Sequence, residues 1–392
     1  MGLMGNLYQG VHRILRLGAA SNQAVAESAT VQAAAESATV EAVQPQSDVV
    51  DSTTAPIQTY PHVTSPQHPE HNPRQLQQVA TLNHGEVVCA VIVSSLTRYV
   101  FTGSKGTVKM WDVFPNGNTS PPTNPSQPAH ELDCLERSTY VRSCKLLPDG
   151  NTLVVGGEAQ TLTIWDLNGS GVPRIKGKLF SEAPACYALA ISSYSKLCYS
   201  CCSNGNITVW DLHNQKVVSQ ICAHSDGASC IDISSNGLQL WTGGLDNTVR
   251  SWNIRTNRQE DQMDFPSPVF SLSCCSTGDW LAVGLENSMV EVRNMSRWDR
   301  HHLKLHTLAV LSVKYATAGN WLVSAGKDTR LSMWVPSQGL NPVSLTTPAS
   351  LLCCDVTIDD RYIAIGSGNR TATLYEVTVY TDLSLPVRKT LG

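Results

Sequence analysis

The sequence is short of charge. Only 15% of its 392 residues are Asp, Glu, Lys or Arg, where about a quarter is usual. Its net charge of -4 leaves no basic field to hold a phosphate backbone. A long coiled coil and a wholly disordered chain are excluded on the same composition. No run of 18 apolar residues occurs, which is the length a membrane helix needs. Phe is scarce, at five, and all five lie after residue 100, as do all nine Trp. What remains abundant is Gly, at 27, and Pro, at 20. That mixture suits many short, half-buried strands joined by tight turns.

Residues 1–76 lack the means to build a core. Their only aromatics are Tyr8 and Tyr60, and three Arg face six carboxylates there. The expectation is a largely disordered tail, with the Pro- and Gln-rich stretch 43–76 as its linker. Ala-Glu-Ser-Ala-Thr-Val occurs twice between Ala26 and Val40, with a period of nine. That period fits neither 3.5 nor 3.6, so no coiled coil is expected. Leu7, Val11, Ile14 and Leu15, with Arg13 and Arg16, suit a short amphipathic helix, but the acids that follow count against a transit peptide. Asn6 stands where a myristoylation site has Ser or Thr.

Thirteen Cys is an odd count, and no secretory signal precedes them. Reduced thiols of the cytosol or nucleus are expected. Cys198 and Cys201 form a C-x-x-C, yet on a strand they point to opposite faces, and no second pair stands at zinc spacing. No metal site is expected.

A repeat dominates the rest. Trp111-Asp112, Trp165-Asp166, Trp210-Asp211, Trp252-Asn253, Val292-Arg293, Trp334-Val335 and Tyr375-Glu376 follow one another at 54, 45, 42, 40, 42 and 41 residues. A period of about 40–45 ending in Trp-Asp is that of a WD40 propeller with four strands per blade. Seven units predict an all-β, seven-bladed propeller over 77–380, with 381–392 as an extension. The long first spacing is assigned to a loop at 114–130 between blades one and two. Residues 77–83 are expected to supply the outer strand of the last blade and so close the ring.

His, Ser or Thr, Asp and Trp recur in step with the repeat. Blade four has His224, Thr242, Asp246 and Trp252, and blade six has His306, Ser324, Asp328 and Trp334. Residues locked to a repeat in this way are a structural hydrogen-bond relay rather than a hydrolase triad. No Gly-rich phosphate cradle, paired carboxylates or nucleophile elbow is present, so neither enzyme activity nor a cofactor is expected.

The inner strand of each blade lines the central channel. Alignment puts Val88, Arg142, Cys186, Ala228, Phe270, Leu311 and Leu352 near the strand starts, with Val87, Cys89, Tyr140 and Tyr187 at a similar level. An apolar ring at a wet channel mouth reads as a binding site. Phe270, Tyr140 and the two Leu suit the side chains of a short peptide. Arg142 suits a carbonyl or a carboxylate, and Glu158 suits a basic residue or Arg142 itself.

The stretches His84-Gly85-Glu86-Val87-Val88-Cys89-Ala90-Val91, Ala183-Pro184-Ala185-Cys186-Tyr187-Ala188-Leu189 and Trp241-Thr242-Gly243-Gly244-Leu245-Asp246-Asn247 resemble the C-terminal propeller of Groucho, or transducin-like enhancer of split, co-repressors. So do Leu146-Leu147-Pro148-Asp149-Gly150 and Trp280-Leu281-Ala282-Val283-Gly284. The resemblance implies a nuclear transcriptional co-repressor, or a modulator of one. Its partners would be DNA-binding transcription factors carrying Trp-Arg-Pro-Trp or engrailed-homology motifs. It carries the peptide-contacting role to Val87, Cys89, Tyr140, Arg142, Glu158, Phe270, Leu311 and Leu352. The alternative is a cytoplasmic WD40 scaffold subunit of a multiprotein assembly. Residues 1–76 hold neither the heptads nor the basic cluster of the family's N-terminal regions, so the expectation is a shortened, monomeric member that binds no nucleic acid directly.

Overall fold

The computed structural model describes residues 72–380, apart from 95–97, 116–121, 169–170, 195, 298, 305 and 336–342. Of the tail expected over 1–76, residues 1–71 lie outside the described residues, as does the extension expected at 381–392, while 72–76 belong to a strand and not to a disordered tail.

The described residues form seven antiparallel sheets of four strands each. The inner strands are Ala90–Val93, Val141–Leu146, Cys186–Ile191, Ala228–Ile233, Val269–Cys274, Val310–Tyr315 and Leu351–Val356. Six blades run from inner to outer strand in chain order. The seventh is completed from the other end of the chain, where Asn72–Asn83 pairs with Thr371–Tyr380 from Asn83↔Thr371 to Asn72↔Tyr380. The closing strand expected over 77–83 therefore also takes in 72–76. The Pro-rich loop falls elsewhere than expected. It joins Thr107–Asp112 to His130–Asp133, the third and outer strands of blade one, and so lies within a sheet rather than between two.

The core is a ring of seven clusters, each filled by two adjacent blades. Strand alternation sends one face of each sheet into the cluster before it and the other into the cluster after it. Cys198 faces blade two and Cys201 faces blade four, on opposite faces of one strand. Polar side chains stitch the inner strands together as well. Asp355 accepts the Val93 N–H at 2.9 Å across the closure, Asp232 accepts that of Cys274 at 2.9 Å, and Ser273 that of Tyr315 at 3.1 Å. Burial opposes the charge on Lys314, but Asp232 and Asp355 outweigh it and hold the ammonium protonated.

The relays form as the sequence indicates in blades four and six. His224 bonds to Thr242 and Asp246, both at 2.9 Å, and the Trp252 indole N–H donates to Thr242 at 3.0 Å. His306 bonds to Ser324 at 2.7 Å and Asp328 at 2.9 Å, and Trp334 donates to Ser324 at 3.0 Å. Blade one has a third relay that the pattern of acids conceals. His84 sits between Thr102 (2.7 Å) and Ser104 (2.6 Å), and Trp111 donates to Thr102 at 2.8 Å. A hydroxyl replaces the carboxylate, so nothing there stabilises an imidazolium. Burial, with the nearby Lys109, lowers the His84 pKa to about 3.

These groups set a pH dependence in two windows. An unfolded His takes a proton near pH 6.5, while folded His84 stays neutral down to about 3. The unfolded chain then binds more protons, so stability falls as pH drops below about 6.5, by at most about 1.4 kcal/mol per pH unit. Burial disfavours the Asp246 and Asp328 carboxylates, but hydrogen bonds from His224 and His306 overcome it and hold both pKa values below normal. Their contribution is whole above the unfolded value near 3.9 and is lost as pH falls further. Thermal midpoints of the native chain should decline from about pH 6.5. His84→Gln should flatten the upper part of that decline, and an unchanged slope would remove His84 from the account.

Blade five departs from the pattern. The pairing Leu281↔Arg293 matches Leu240↔Trp252, so Arg293 and not Val292 occupies the Trp position. Phe265 stands where His224 stands, four residues before the inner strand, and Val283 replaces the hydroxyl of Thr242. In place of a relay, the Arg293 guanidinium lies 4.5 Å from the centre of the Phe265 ring and bonds to the buried carboxylate of Glu291.

Candidate functional site at the channel mouth

Register decides which side chains face the mouth. Six of the seven inner strands carry an irregularity between their first and third residues, at Val141/Ser143, Cys186/Ala188, Ala228/Cys230, Val269/Ser271, Val310/Ser312 and Leu351/Cys353. The first residue is buried in each. The second, extra residue is left out of the ladder, the usual way a bulge re-aims a side chain. These residues are Arg142, Tyr187, Ser229, Phe270, Leu311 and Leu352, all half-buried, with Cys89 in the matching place of blade one.

The ring therefore differs from the sequence alignment in three blades. Val88, Cys186 and Ala228 are core residues, exposed by 2% or less. Cys89, Tyr187 and Ser229 hold their rim places. Tyr187, a neighbour of the aligned position, takes the place of Cys186, and Ser229, whose residue type carries no signal, takes that of Ala228. A constant offset marks the rim position, because Cys89, Ser229 and Leu311 each follow a relay His by five residues.

Two residues before the bulge stand Val87, Tyr140, Ala185, Gly227, Pro268, Ala309 and Ser350. The carbonyls of the last six accept N–H groups from Glu158, Ser203, Leu245, Glu286, Lys327 and Gly368 at 2.9–3.0 Å. This repeated bond sets a third tier of side chains around the rim. Leu245, Glu286 and Lys327 belong to it and escaped the sequence reading.

Arg142 is the one cation in the ring of bulge residues. Its Nε donates to Glu158 at 2.9 Å, its Nη2 bonds to the same oxygen, and it lies 5.4 Å from the centre of the Tyr140 ring. Both partners are nearly buried, at 10% and 13% side-chain exposure. Burial works against the guanidinium charge, but the bonded Glu158 carboxylate helps hold the guanidinium protonated. Gly157 makes the close approach possible, since a Cβ there would stand 2.1 Å from the Tyr140 carbonyl oxygen. Burial pushes the Cys89 thiol up, so it stays protonated and presents a soft, nearly apolar surface. Phe270, Leu311 and Leu352 complete an apolar arc on the other side. The arrangement offers a pinned, planar donor beside apolar pockets, which suits a peptide carbonyl flanked by large side chains.

The family model for the WD domain, G-beta repeat matches residues 76–112, 127–166, 176–211, 215–253 and 298–335. The chain is 57% identical over 305 residues to Protein groucho of Drosophila melanogaster, across 78% of its own length. This is a Groucho-type WD40 propeller. It spans about two fifths (41%) of the length of that relative. The repeat model passes over blades five and seven of the Groucho-type propeller, where Arg293 and Tyr375 take the Trp place. Both blades are nevertheless complete sheets.

Proposed function

We propose that the mouth of this propeller captures short peptide motifs of DNA-binding transcription factors, and that the chain acts in the nucleus as a co-repressor or a modulator of one. The observation that carries the reading is Arg142, pinned by Glu158 on one side of an otherwise largely apolar ring. Bulky side chains of a Trp-Arg-Pro-Trp or engrailed-homology motif fill the arc of Phe270, Leu311 and Leu352. A motif carbonyl accepts from Arg142, and Val87, Cys89 and Tyr140 border the same opening. The relay imidazoles and carboxylates are buried in the blades and bonded to each other, so the site works by binding rather than by catalysis.

The test is a titration of a labelled Trp-Arg-Pro-Trp peptide against the full chain. Arg142→Ala is expected to weaken binding by about tenfold or more, since a hydrogen bond to a charged group contributes about 1.5–3 kcal/mol. A wild-type chain that shows no saturation up to about 1 mM would end the proposal. So would native-like affinity in Arg142→Ala.

A further inference from the structure

The end of the ring opposite the mouth is not uniform. Inner strands start at the mouth, so the turns after the first and third strands of each blade lie at the far end. Among the described residues nine large apolar side chains are exposed. Six of them, Val172, Ile175, Tyr194, Val217, Val218 and Leu238, lie at or beside the far ends of blades two, three and four.

Contacts make these six one surface. Gln215 of blade three donates to the Lys176 carbonyl of blade two at 3.4 Å and covers Gly177. Asn257 of blade four donates to Ser219 of blade three at 3.0 Å. The Tyr194 ring leans on Gly237, where a Cβ would meet it at 2.6 Å, yet it remains 77% exposed. It thus bridges blades three and four and brings Leu238 beside it.

Cations punctuate the same surface. Lys176, Lys216, Arg255 and Arg258 are exposed, and none has an ion-pair partner among the described residues. The nearby carboxylates are already engaged. Asp166 holds Arg174 at 3.1 Å, and Asp211 accepts the N–H groups of its own turn.

The far ends of blades five to seven are built otherwise. Asp360 clasps the N–H groups of Thr317 and Ala318 at 2.6 and 2.8 Å, and the Cys275 thiol donates to the Gly319 carbonyl at 3.3 Å. Ile358 is the one large apolar side chain exposed there among the described residues. Among the described residues, apolar exposure on this face is thus concentrated at blades two to four, beside Lys176, Lys216, Arg255 and Arg258, while polar clasps join the far ends of blades five to seven.

We propose that the far ends of blades two to four form a docking surface for an acidic segment of a partner protein, one whose carboxylates alternate with aliphatic or aromatic side chains. The apolar groups take such side chains while Lys176, Lys216, Arg255 and Arg258 take the carboxylates. A phosphate backbone would use the cations and leave Tyr194, Val217 and Leu238 uncovered, so a protein segment fits better. The surface is separate from the mouth and owes nothing to it.

The experiment is fluorescence anisotropy of the full chain with a short labelled peptide in which Glu and Asp alternate with Leu and Phe. Saturable binding is expected. It should weaken about tenfold in Tyr194→Ser with Val217→Asp, and again in Arg255→Glu with Arg258→Glu, and be unchanged in Arg142→Ala. These positions are exposed, so circular dichroism melts of the variants should match wild type. Should one pair fail to fold, Lys176→Glu reads the same surface alone. Absence of saturation overturns the proposal, as does binding lost in Arg142→Ala but kept in the far-face variants. Tighter binding of oligouridylate or of phosphatidylserine vesicles through the same residues would assign the surface to another class of partner and overturn it equally.

Discussion

Leu352→Ser is expected to weaken a Trp-Arg-Pro-Trp peptide tenfold to a hundredfold and leave the thermal midpoint nearly unchanged. Leu351→Ala, one residue away, is expected to do the reverse. Leu351 is 2% exposed and sits in the core between blades six and seven. Its truncation should cost about 2–5 kcal/mol of stability. Leu352 is the bulge residue and faces the mouth, so Ser costs the fold little. It removes an apolar contact of about 1.5–3 kcal/mol from the bound state. The two measurements are a peptide titration and a denaturant midpoint on each variant. If both substitutions behave alike, the bulge does not separate core from site and the ring has been assigned wrongly.

Arg293→Ala is expected to destabilise the chain by about 3 kcal/mol or more. The substitution leaves the Glu291 carboxylate, 2% exposed, buried without its partner, and breaking a buried pair from one side costs about 3–5 kcal/mol. It also removes the cation from the Phe265 ring. Arg293→Trp, which restores the usual residue, should not rescue the blade, because Val283 offers the indole no hydroxyl and Glu291 is still stranded. Arg293→Met combined with Glu291→Leu removes both charges and should return stability to within about 1–2 kcal/mol of wild type. Urea midpoints of the three variants decide the matter. A mild Arg293→Ala phenotype would mean that water reaches Glu291.

The ring of blades was legible because a large residue must recur where each sheet packs on its neighbour. Trp111, Trp165, Trp210, Trp252, Trp334 and Tyr375 mark that place by size alone. Arg293 does not, since its role depends on Phe265 and Glu291, which are distant in sequence or carry no motif. The even steps of 41 residues from Trp252 through Arg293 and Trp334 to Tyr375 would have found it. Half the site was legible for a similar reason. Phe270, Leu311 and Leu352 stand out against a polar loop, and Arg142 stands out against them. Tyr187 and Ser229 stand one residue beyond the aligned positions because a bulge adds a position without a characteristic residue type. The Pro-rich loop was misplaced because a repeat read from Trp to Trp assigns each outer strand to the unit that follows it. Blade one's relay is hidden in the sequence because Ser104 supplies a hydroxyl where blades four and six supply an acid.

The strand at Asn72–Asn83 also sets an order of events during synthesis. It leaves the ribosome before any blade and its partner, Thr371–Tyr380, leaves after all the others. For nearly the whole of translation the earliest strand of the ring is an unpaired edge, and so is the youngest blade. Such edges are the places where nascent chains pair with the wrong neighbour. A message cut short before Thr371 would yield six finished blades in an arc whose ends never close, and a protein whose loss is felt through quality control rather than through any single missing contact.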